Sequence, residues 1–155
     1  METEDKKKVL EEITRSLLDG MGFKAEVVIA TSAVSDDDSI SVEIQTDESK
    51  YLIGRFGVTL AAFQHICRIL VRKRLDEQVN FTVDVNNYRE KQQQIIFDIT
   101  KEAIQKALSD GESVELRPMN SYERRLVHLE TAKNENIESE STGEDDERRV
   151  VIKPV

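Results

Sequence analysis

The chain is 155 residues long, with 38% hydrophobic and 5% aromatic residues and a single cysteine, Cys67. This length allows one ordinary domain or two small ones, and one cysteine excludes an internal disulfide and a cysteine-based zinc framework. The formal net charge of -9 argues against a protein that binds DNA through simple electrostatic attraction.

The charge is distributed unevenly along the chain. Residues 49–75 contain six basic side chains and no acidic one, whereas acidic residues are in excess before and after this window. A window of this kind attracts phosphate, while the acidic remainder discourages non-specific binding. The N-terminus is charged rather than apolar, and basic residues interrupt the apolar stretch 52–71, so we expect a cytoplasmic protein without membrane contact.

The first elements follow from hydrophobic periodicity. Apolar residues recur at helical spacing over residues 6–19, and Gly20 is placed to end this helix. The period then becomes two, which predicts two strands, with inward faces formed by Phe23, Ala25, Val27 and Ile29 and by Ile40, Val42 and Ile44. The run 35–39 between them predicts a turn, since three acidic residues suit a solvated hairpin tip, and it lacks the ligand spacing of a calcium loop.

A short segment near residues 50–53 precedes two glycines, Gly54 and Gly57, and a helix predicted over 58–74. Two glycines three residues apart let a backbone approach a phosphate closely, since neither carries a Cβ. The helix that follows adds free N–H groups and the positive end of its dipole. Arg55 lies between the glycines and Lys50 precedes them, although a tight turn between two helices would use the same glycines for geometry alone.

A third strand is predicted from the strict alternation of Val79, Phe81, Val83 and Val85. Asn87 and Glu90 then have the spacing of a capping box, which predicts a helix that ends at Gly111. The buried face predicted for this helix consists of Ile95, Ile99, Ala103 and Leu108.

The remaining elements are shorter. They are a strand at 114–116, a helix over 121–133 that is capped by Asn120 and Glu123, and two strands near residue 137 and residues 150–152. The polar, acidic segment 139–147 predicts a mobile hairpin loop. The whole pattern predicts an α+β protein of two small domains with a boundary near Asn86.

The sequence Ile53-Gly54-Arg55-Phe56-Gly57-Val58-Thr59-Leu60-Ala61-Ala62-Phe63-Gln64 resembles the signature of bacterial KH domains, and the order of elements around it matches KH type II. The resemblance implies a three-stranded sheet with helices on one face. It also implies a backbone clamp for single-stranded RNA made by Gly54, Arg55, Phe56 and Gly57, beside a groove lined by Ile53 and Leu60. Phe56 departs from the basic or small polar residue common at its position, which lowers the charge of the clamp but offers a ring for base stacking.

Arg124 and His128 are four residues apart on the predicted C-terminal helix and therefore share a face, with Arg125 beside them. Alone, such a pair is typical of a solvated helix surface. The segments 117–128, 141–144 and 148–152, however, resemble the R-three-H (Arg-x-x-x-His) domain. The resemblance implies binding of single-stranded nucleic acid by Arg124, Arg125, His128 and Arg148, although strand alternation lets only one of Arg148 and Arg149 face outward. Ser121 and Asp146 stand where the family commonly has proline.

A KH type II domain followed by an R-three-H domain is similar to the arrangement of the Jag family of bacterial RNA-binding proteins. This resemblance assigns residues 1–86 to the KH domain and 87–155, including a leading helix at 87–110, to the R-three-H domain. It further implies a short form without the N-terminal Jag domain, and a KH-domain partner or a homodimer as protein partners.

The sequence predicts a binding protein without catalytic activity, metal or other cofactor. The two histidines are His65 and His128, and neither is paired in sequence with a nucleophile in a catalytic pattern. The main hypothesis is a regulatory single-stranded RNA-binding protein, with single-stranded DNA left open as a ligand. The alternative is a protein–protein adaptor that uses the KH fold for dimerisation and binds nucleic acid weakly.

Overall fold

The structure is a computed structural model that describes residues 2–31 and 39–155. The chain divides into two compact units, the first ending at Tyr88 and the second running from Arg89 to Val155. Each unit contains helices and a three-stranded sheet, which confirms the predicted α+β class. The turn predicted at 35–39 lies outside the described residues except for Ser39, and no helix within the described ranges is long and apolar enough to cross a membrane.

The first unit is built around a sheet with the order β1-β2-β3, in which β1 and β2 are antiparallel and β2 and β3 are parallel. Its elements in chain order are α1 (Thr3–Gly20), β1 (Glu26–Thr31), β2 (Ile40–Gln45), α2 (Ser49–Ile53), α3 (Val58–Leu75) and β3 (Phe81–Val85).

The core of the first unit lies between one face of this sheet and the helices α1 and α3. Strand alternation places three side chains of β2 and three of β3 on the same buried face: Ile40, Val42, Ile44, Phe81, Val83 and Val85. The helices contribute residues such as Leu10 and Phe63 to the same cluster. Because apolar side chains bury on one side of each strand, the helices cover a single face of the sheet.

The outer edge of β3 is covered by side chains. Gln64 on α3 accepts a hydrogen bond from the Val83 N–H at 2.8 Å, and Arg68 on the same helix donates to the Phe81 carbonyl at 3.5 Å. The Val85 N–H donates to the neighbouring Asp84 carboxylate at 2.9 Å. Backbone groups that would otherwise face solvent at the end of the sheet are thus bound within the unit.

The second unit contains a fully antiparallel sheet with the order β4-β6-β5. Its elements are α4 (Tyr88–Asp110), which begins on the last residue of the first unit, β4 (Val114–Glu115), α5 (Ser121–Thr131), β5 (Ile137–Thr142) and β6 (Arg149–Pro154). Val127 of α5 packs with Val150 and Ile152 of β6 and with residues of α4 in one apolar cluster.

The buried face predicted for α4 was wrong at two positions. Ile95 and Leu108 are 47% and 45% exposed, whereas the buried stripe is made by Ile96, Thr100, Ala103 and Ala107. Thr100 is tolerated in this stripe because its hydroxyl donates to the Ile96 carbonyl at 2.6 Å, and the two alanines let the helix lie close to its neighbours. Ala103 was predicted correctly, whereas Thr100 and Ala107 occupy buried positions that the search for large apolar side chains overlooked.

The predicted capping box at the start of α4 also differs from the structure. Asn87 has a φ of 55°, whereas an N-cap residue normally has an extended backbone. Its N–H donates to the Glu43 carboxylate at 2.8 Å, the bond that Glu90 would make in a capping box. The second predicted box is confirmed, since Asn120 and Glu123 exchange both reciprocal bonds at the start of α5.

The segment 139–147 is more ordered than the predicted loop. β5 continues to Thr142 in antiparallel register with β6, and a short 3-10 turn, Asp145–Glu147, closes the hairpin. Gly143 has a φ of 88°, and a Cβ on it would approach the Glu147 carbonyl oxygen at 2.8 Å. The acidic composition suggested a loop, but the serines and threonine at 139–142 are compatible with a strand whose side chains alternate between half-buried and exposed.

Candidate nucleic-acid interface

The loop that joins α2 to α3 has an unusual backbone. Gly54, Phe56 and Gly57 have φ values of 73°, 55° and 77°, so three of its four residues lie at positive φ. This region is readily open to glycine and uncommon for a bulky residue such as phenylalanine. The loop therefore depends on its two glycines and holds Phe56 in a strained conformation.

Both glycines also lie against neighbouring side chains. A Cβ on Gly54 would collide with Thr59 in the first turn of α3, with the Thr59 Cβ 2.8 Å away. A Cβ on Gly57 would lie 3.1 Å from the ring of Tyr88. The backbone of the loop thus approaches Thr59 on one side and Tyr88 on the other, at distances that only glycine allows without adjustment.

The loop presents positive charge and aromatic rings. Arg55 is exposed, and its guanidinium lies 5.1 Å from the centre of the Phe56 ring. The Lys50 ammonium lies 4.9 Å from the ring of Tyr51, which is 64% exposed. One cation–aromatic pair therefore precedes the two glycines and the other lies between them. Sequence reasoning overlooked Tyr51, although an aromatic residue beside a lysine near a glycine-rich loop is a readable signal.

The first turn of α3 leaves its positive end without a compensating side chain. It contains no acidic residue, and Gly57 at the N-cap provides no side-chain acceptor. A helix N-terminus of this kind attracts an anion through its N–H groups and its dipole. Lys50, Gly54, Arg55, Phe56 and Gly57 are therefore brought together around one cationic loop.

The apolar groove residues expected beside this loop differ in accessibility. Ile53 is half-buried and packs against the core of the first unit. Leu60 is only 2% exposed and belongs to that core, so the expectation that it lines an open groove was wrong. The reason is its helical phase, since Leu60 follows the same buried face as Phe63 and Cys67.

In the second unit, His128 is held between α5 and β5. Its Nδ1 lies 2.7 Å from the Ser139 hydroxyl and its Nε2 lies 2.9 Å from the Ser141 hydroxyl. Thr131 contacts Ser139 in turn at 2.8 Å. Both ring nitrogens are thus bound within the unit, and these hydroxyl partners could not be assigned from the sequence.

Burial of the ring lowers the pKa of His128 below its ordinary value, and the nearby Arg124 guanidinium lowers it further. The imidazole is therefore neutral at physiological pH. Arg124 itself is half-buried, and its Nε is enclosed without a hydrogen-bond partner among the described residues. This guanidinium provides the positive charge of the Arg–His pair.

The other predicted basic residues occupy different environments. Arg125 is exposed on α5. Arg148 donates to the Gly143 carbonyl at 2.9 Å within the hairpin turn, and Arg149 forms ion pairs at 3.0 Å with both Glu115 and Glu147. Arg148 and Arg149 are thus engaged by the second unit itself, unlike Arg125.

Comparison with known proteins finds a domain model that matches most of the second unit. The family model of the R-three-H domain, whose motifs the sequence analysis singled out, matches residues 94–154. This range contains α5, β5 and β6 and therefore includes Arg124, His128 and Arg148.

Relatives of most of the chain carry the name RNA-binding protein KhpB. The protein from Clostridium symbiosum is 27% identical over 91% of this chain and 63% of its own length. The protein from Bacillus subtilis is 29% identical over 83% of this chain and 64% of its own length, and that from Lactiplantibacillus plantarum is 30% identical over 72% of this chain and 35% of its own length. The chain spans less than two thirds of the length of these relatives.

Proposed function

We propose that this chain, whose residues 94–154 match the R-three-H domain and whose relatives are named RNA-binding protein KhpB, binds single-stranded RNA as a member of the Jag family and catalyses no reaction. In this proposal residues 1–86 form a KH type II domain, and residues 87–155, with the leading helix 87–110, form the R-three-H domain. The protein acts by non-covalent capture of RNA, needs no cofactor and has a regulatory role.

The loop Gly54–Gly57 is the observation that carries this proposal. Its glycines leave no room for a Cβ, the helical turn that follows it is free of acid, and Arg55 is exposed at its tip. A tight loop of this geometry, followed by a helix N-terminus, offers N–H groups and a cation to a phosphodiester chain, as in the clamp of KH domains. Phe56 and Tyr51 add rings on which bases can stack.

The architecture of the first unit supports a KH type II fold. Its elements follow the order helix, strand, strand, helix, glycine loop, helix and strand, and its sheet contains one antiparallel and one parallel pair. The loop lies between the short helix α2 and the long helix α3. This is the place that the family resemblance assigns to the clamp.

A role for the second unit in binding is supported by Arg124 and Arg125. Arg125 is exposed, and the Arg124 guanidinium lies near a neutral imidazole. A cation with no paired carboxylate among the described residues is available for a phosphate. His128 contributes by orienting this surface through its serine partners.

The absence of catalysis is supported by the state of the one thiol. Burial raises the pKa of Cys67 to about 11, with the Thr14 hydroxyl acting in the opposite direction. A buried thiol with so little thiolate at neutral pH is a poor nucleophile.

The experiment is fluorescence anisotropy with a labelled ten-nucleotide RNA pool of randomised sequence and the equivalent DNA pool. The variants are Arg55→Asp/Phe56→Asp in the loop and Arg124→Ala in the second unit. Asp is better tolerated than Phe at the positive φ of position 56, so the loop variant is expected to fold. A control with the same change in charge is Lys101→Asp/Gln105→Asp, on an exposed face of α4.

We expect the loop variant to lose at least about tenfold in affinity, the size of a few lost phosphate contacts, while the α4 control changes little. Arg124→Ala is expected to weaken binding less. Equal losses in the loop variant and the control would show that only overall charge matters. Absence of RNA binding by the wild-type protein at low salt would overturn the proposal.

A second candidate function, a protein–protein adaptor, is favoured by the apolar surface of α3. Ile66 and Ile69 are 44% and 51% exposed on the helix that follows the loop. Size-exclusion chromatography with light scattering, together with pull-downs with and without ribonuclease, distinguishes the two functions. Partners that persist after ribonuclease treatment support the adaptor, and partners that disappear support RNA binding.

A further inference from the structure

We infer that the Ser141 hydroxyl is a nucleophile that takes one acyl group from an activated ester, with His128 as its general base. The inference does not depend on the proposed RNA binding. It rests on a chain of hydrogen bonds that links Ser141 of β5 to His128 of α5 and continues to the hydroxyls of Ser139 and Thr131. The sequence gives no sign of this chain, because Ser141 is 13 residues away from His128.

The direction of each hydrogen bond in this chain can be assigned, because a hydroxyl has a single proton to donate. The Thr131 hydroxyl donates to the His128 carbonyl at 3.0 Å, so in its 2.8 Å contact with Ser139 it accepts and Ser139 donates. The Ser139 oxygen must then be the acceptor in its 2.7 Å contact with His128, and Nδ1 of the ring carries the proton. These three bonds therefore fix one tautomer of the imidazole.

This tautomer leaves the lone pair of Nε2 for Ser141. The ring is neutral at physiological pH, since burial and the Arg124 guanidinium both lower the pKa of His128. In a neutral ring with its proton on Nδ1, Nε2 can only accept, so the Ser141 hydroxyl donates to it over 2.9 Å. A hydroxyl bound to a base that a third group orients is the arrangement of an activated nucleophile.

The covalent step uses these two side chains. Ser141 is half-buried near the end of β5, so an ester can reach its oxygen. The Ser141 oxygen attacks the carbonyl carbon of the ester while its proton passes to Nε2 of His128. The tetrahedral intermediate then expels the leaving oxygen, which takes the proton from Nε2. The products are an acyl ester on Ser141 and the free alcohol or phenol.

Two groups around His128 limit the reaction to a slow, single transfer. In serine hydrolases the Nδ1–H group donates to a carboxylate that stabilises the imidazolium, whereas the Ser139 hydroxyl is uncharged. The Arg124 guanidinium also disfavours a second positive charge beside it. Ser141 is therefore an acceptor of one acyl group and not the centre of an efficient esterase, which is compatible with a protein whose main role is binding.

The test treats the full chain with p-nitrophenyl acetate at neutral pH. Peptide mass spectrometry follows the acetylated fraction of Ser141 and of Ser121, an exposed serine at the start of α5 whose hydroxyl has no histidine partner among the described residues. We expect Ser141 to be acetylated at least about tenfold faster than Ser121. This is below the roughly hundredfold gain usual for a positioned general base, because the imidazolium is poorly stabilised.

Three variants assign the roles within the chain of hydrogen bonds. His128→Gln removes the base, so the acetylation rate of Ser141 should fall to that of Ser121. Ser139→Ala keeps the base but removes the acceptor of the Nδ1–H group, and an intermediate rate is expected for this positioning residue. Thr142→Ala is the matched control, because Thr142 is an exposed neighbouring hydroxyl, and it should leave the rate unchanged.

Nuclear magnetic resonance of the imidazole nitrogens gives a second readout that needs no variant. In the wild-type protein we expect the His128 proton on Nδ1, and the share of this tautomer should fall in Ser139→Ala. Acetylation of Ser141 no faster than that of Ser121, or a wild-type ring with its proton on Nε2, would overturn the inference. Either result leaves the proposed RNA binding to its own test.

Discussion

Gly54 and Gly57 shape the loop through two separate demands, a positive φ and a close approach of neighbouring atoms. The backbone role of the two glycines could be predicted from the sequence, because their spacing indicates a tight turn before a helix. The sequence could not predict that Thr59 and Tyr88 fill the space where a Cβ would lie. The contact with Tyr88 joins residues 31 apart in the chain, and such contacts depend on tertiary packing.

Two costs of replacing Gly54, the steric collision of a Cβ and the strain of a positive φ, can be measured separately by comparison with Gly22. Gly22 has a φ of 82° and open space where a Cβ would lie, with no atom within 4 Å, so Gly22→Ala should cost only the strain of the left-handed backbone, about 1–2 kcal/mol. Gly54→Ala adds the collision with Thr59 and should cost about 1–3 kcal/mol more. Urea unfolding of both variants measures the difference, and equal losses would contradict the steric role of Thr59.

His128 predicts a pH dependence of stability. Its pKa is lowered in the folded state, so the unfolded chain binds more protons between that lowered pKa and the ordinary value of 6.5. Stability should therefore be constant above this window and fall as the pH drops through it. Thermal unfolding from pH 8 to pH 5 measures the effect. The dependence should diminish in His128→Gln and persist in His65→Gln, and an unchanged slope in His128→Gln would contradict it.

At the scale of single elements, α5 depends on the contacts at its start. Glu123 is 2% exposed, and its carboxylate accepts from the Asn120 N–H at 3.1 Å and from Gln92 at 3.0 Å. Asn120→Ala should cost about 1 kcal/mol as a lost N-cap. Glu123→Ala should cost more, about 1–3 kcal/mol, because it leaves two partly buried donors, the Asn120 N–H and the Gln92 amide, without an acceptor.

Glu123→Gln is the matched control for this cap, since glutamine can also complete a capping box. Its loss should be smaller than that of Glu123→Ala in chemical denaturation. Equal losses for the two variants would mean that the negative charge, rather than the acceptor geometry, stabilises the start of α5.

The phase of α4 is the clearest difference between prediction and structure at this scale. Ile96→Ala removes a fully buried side chain and should cost about 2–5 kcal/mol, whereas Ile95→Ala changes a half-exposed neighbour and should cost less than about 1 kcal/mol. Equilibrium unfolding compares two substitutions that are chemically identical. A larger loss of unfolding free energy for Ile95→Ala than for Ile96→Ala would contradict the structure and support the buried face predicted from the sequence.

The reason for that difference is physical. Alternation in β2 and β3 could be read from the sequence because each buried residue is large and apolar and each neighbour is polar. In α4 the buried stripe contains Thr100, Ala103 and Ala107, while Ile95 and Leu108 lie outside it. Hydrophobic periodicity is a weak guide where small residues permit close packing and a hydroxyl bonds within its own helix.

For the molecule as a whole, the proposed RNA binding has to occur on a protein of net charge -9. The basic window 49–75 could be found from the sequence, but the structure alone separates its members into those that pair internally, such as Arg74 with Glu12 at 2.7 Å, and those that face solvent. The family of the second unit was predicted correctly from its motifs. The hydroxyl partners of His128 come from β5, a separate element, and carry no sequence signal.

Because only some basic residues of the window 49–75 face solvent, we expect the affinity for RNA to depend moderately on salt concentration. With three or four phosphate contacts, the slope of log affinity against log salt should be about -2 to -3 for a single strand. Anisotropy titrations between about 50 and 200 mM salt, a range over which such slopes are readily resolved, measure it for the wild-type protein. A slope near zero would contradict phosphate contacts as the source of affinity, even though the overall charge is unfavourable.

The cover that Gln64, Arg68 and Asp84 provide for the outer edge of β3 has a consequence for crowding in the cell. An open sheet edge acts as a template on which another chain can add a strand, and many proteins aggregate in this way. Here the side chains already occupy the Val83 and Val85 N–H groups and the Phe81 carbonyl. If the proposed RNA binding gathers several copies on one strand, this cover would hinder the joining of their sheets through β3.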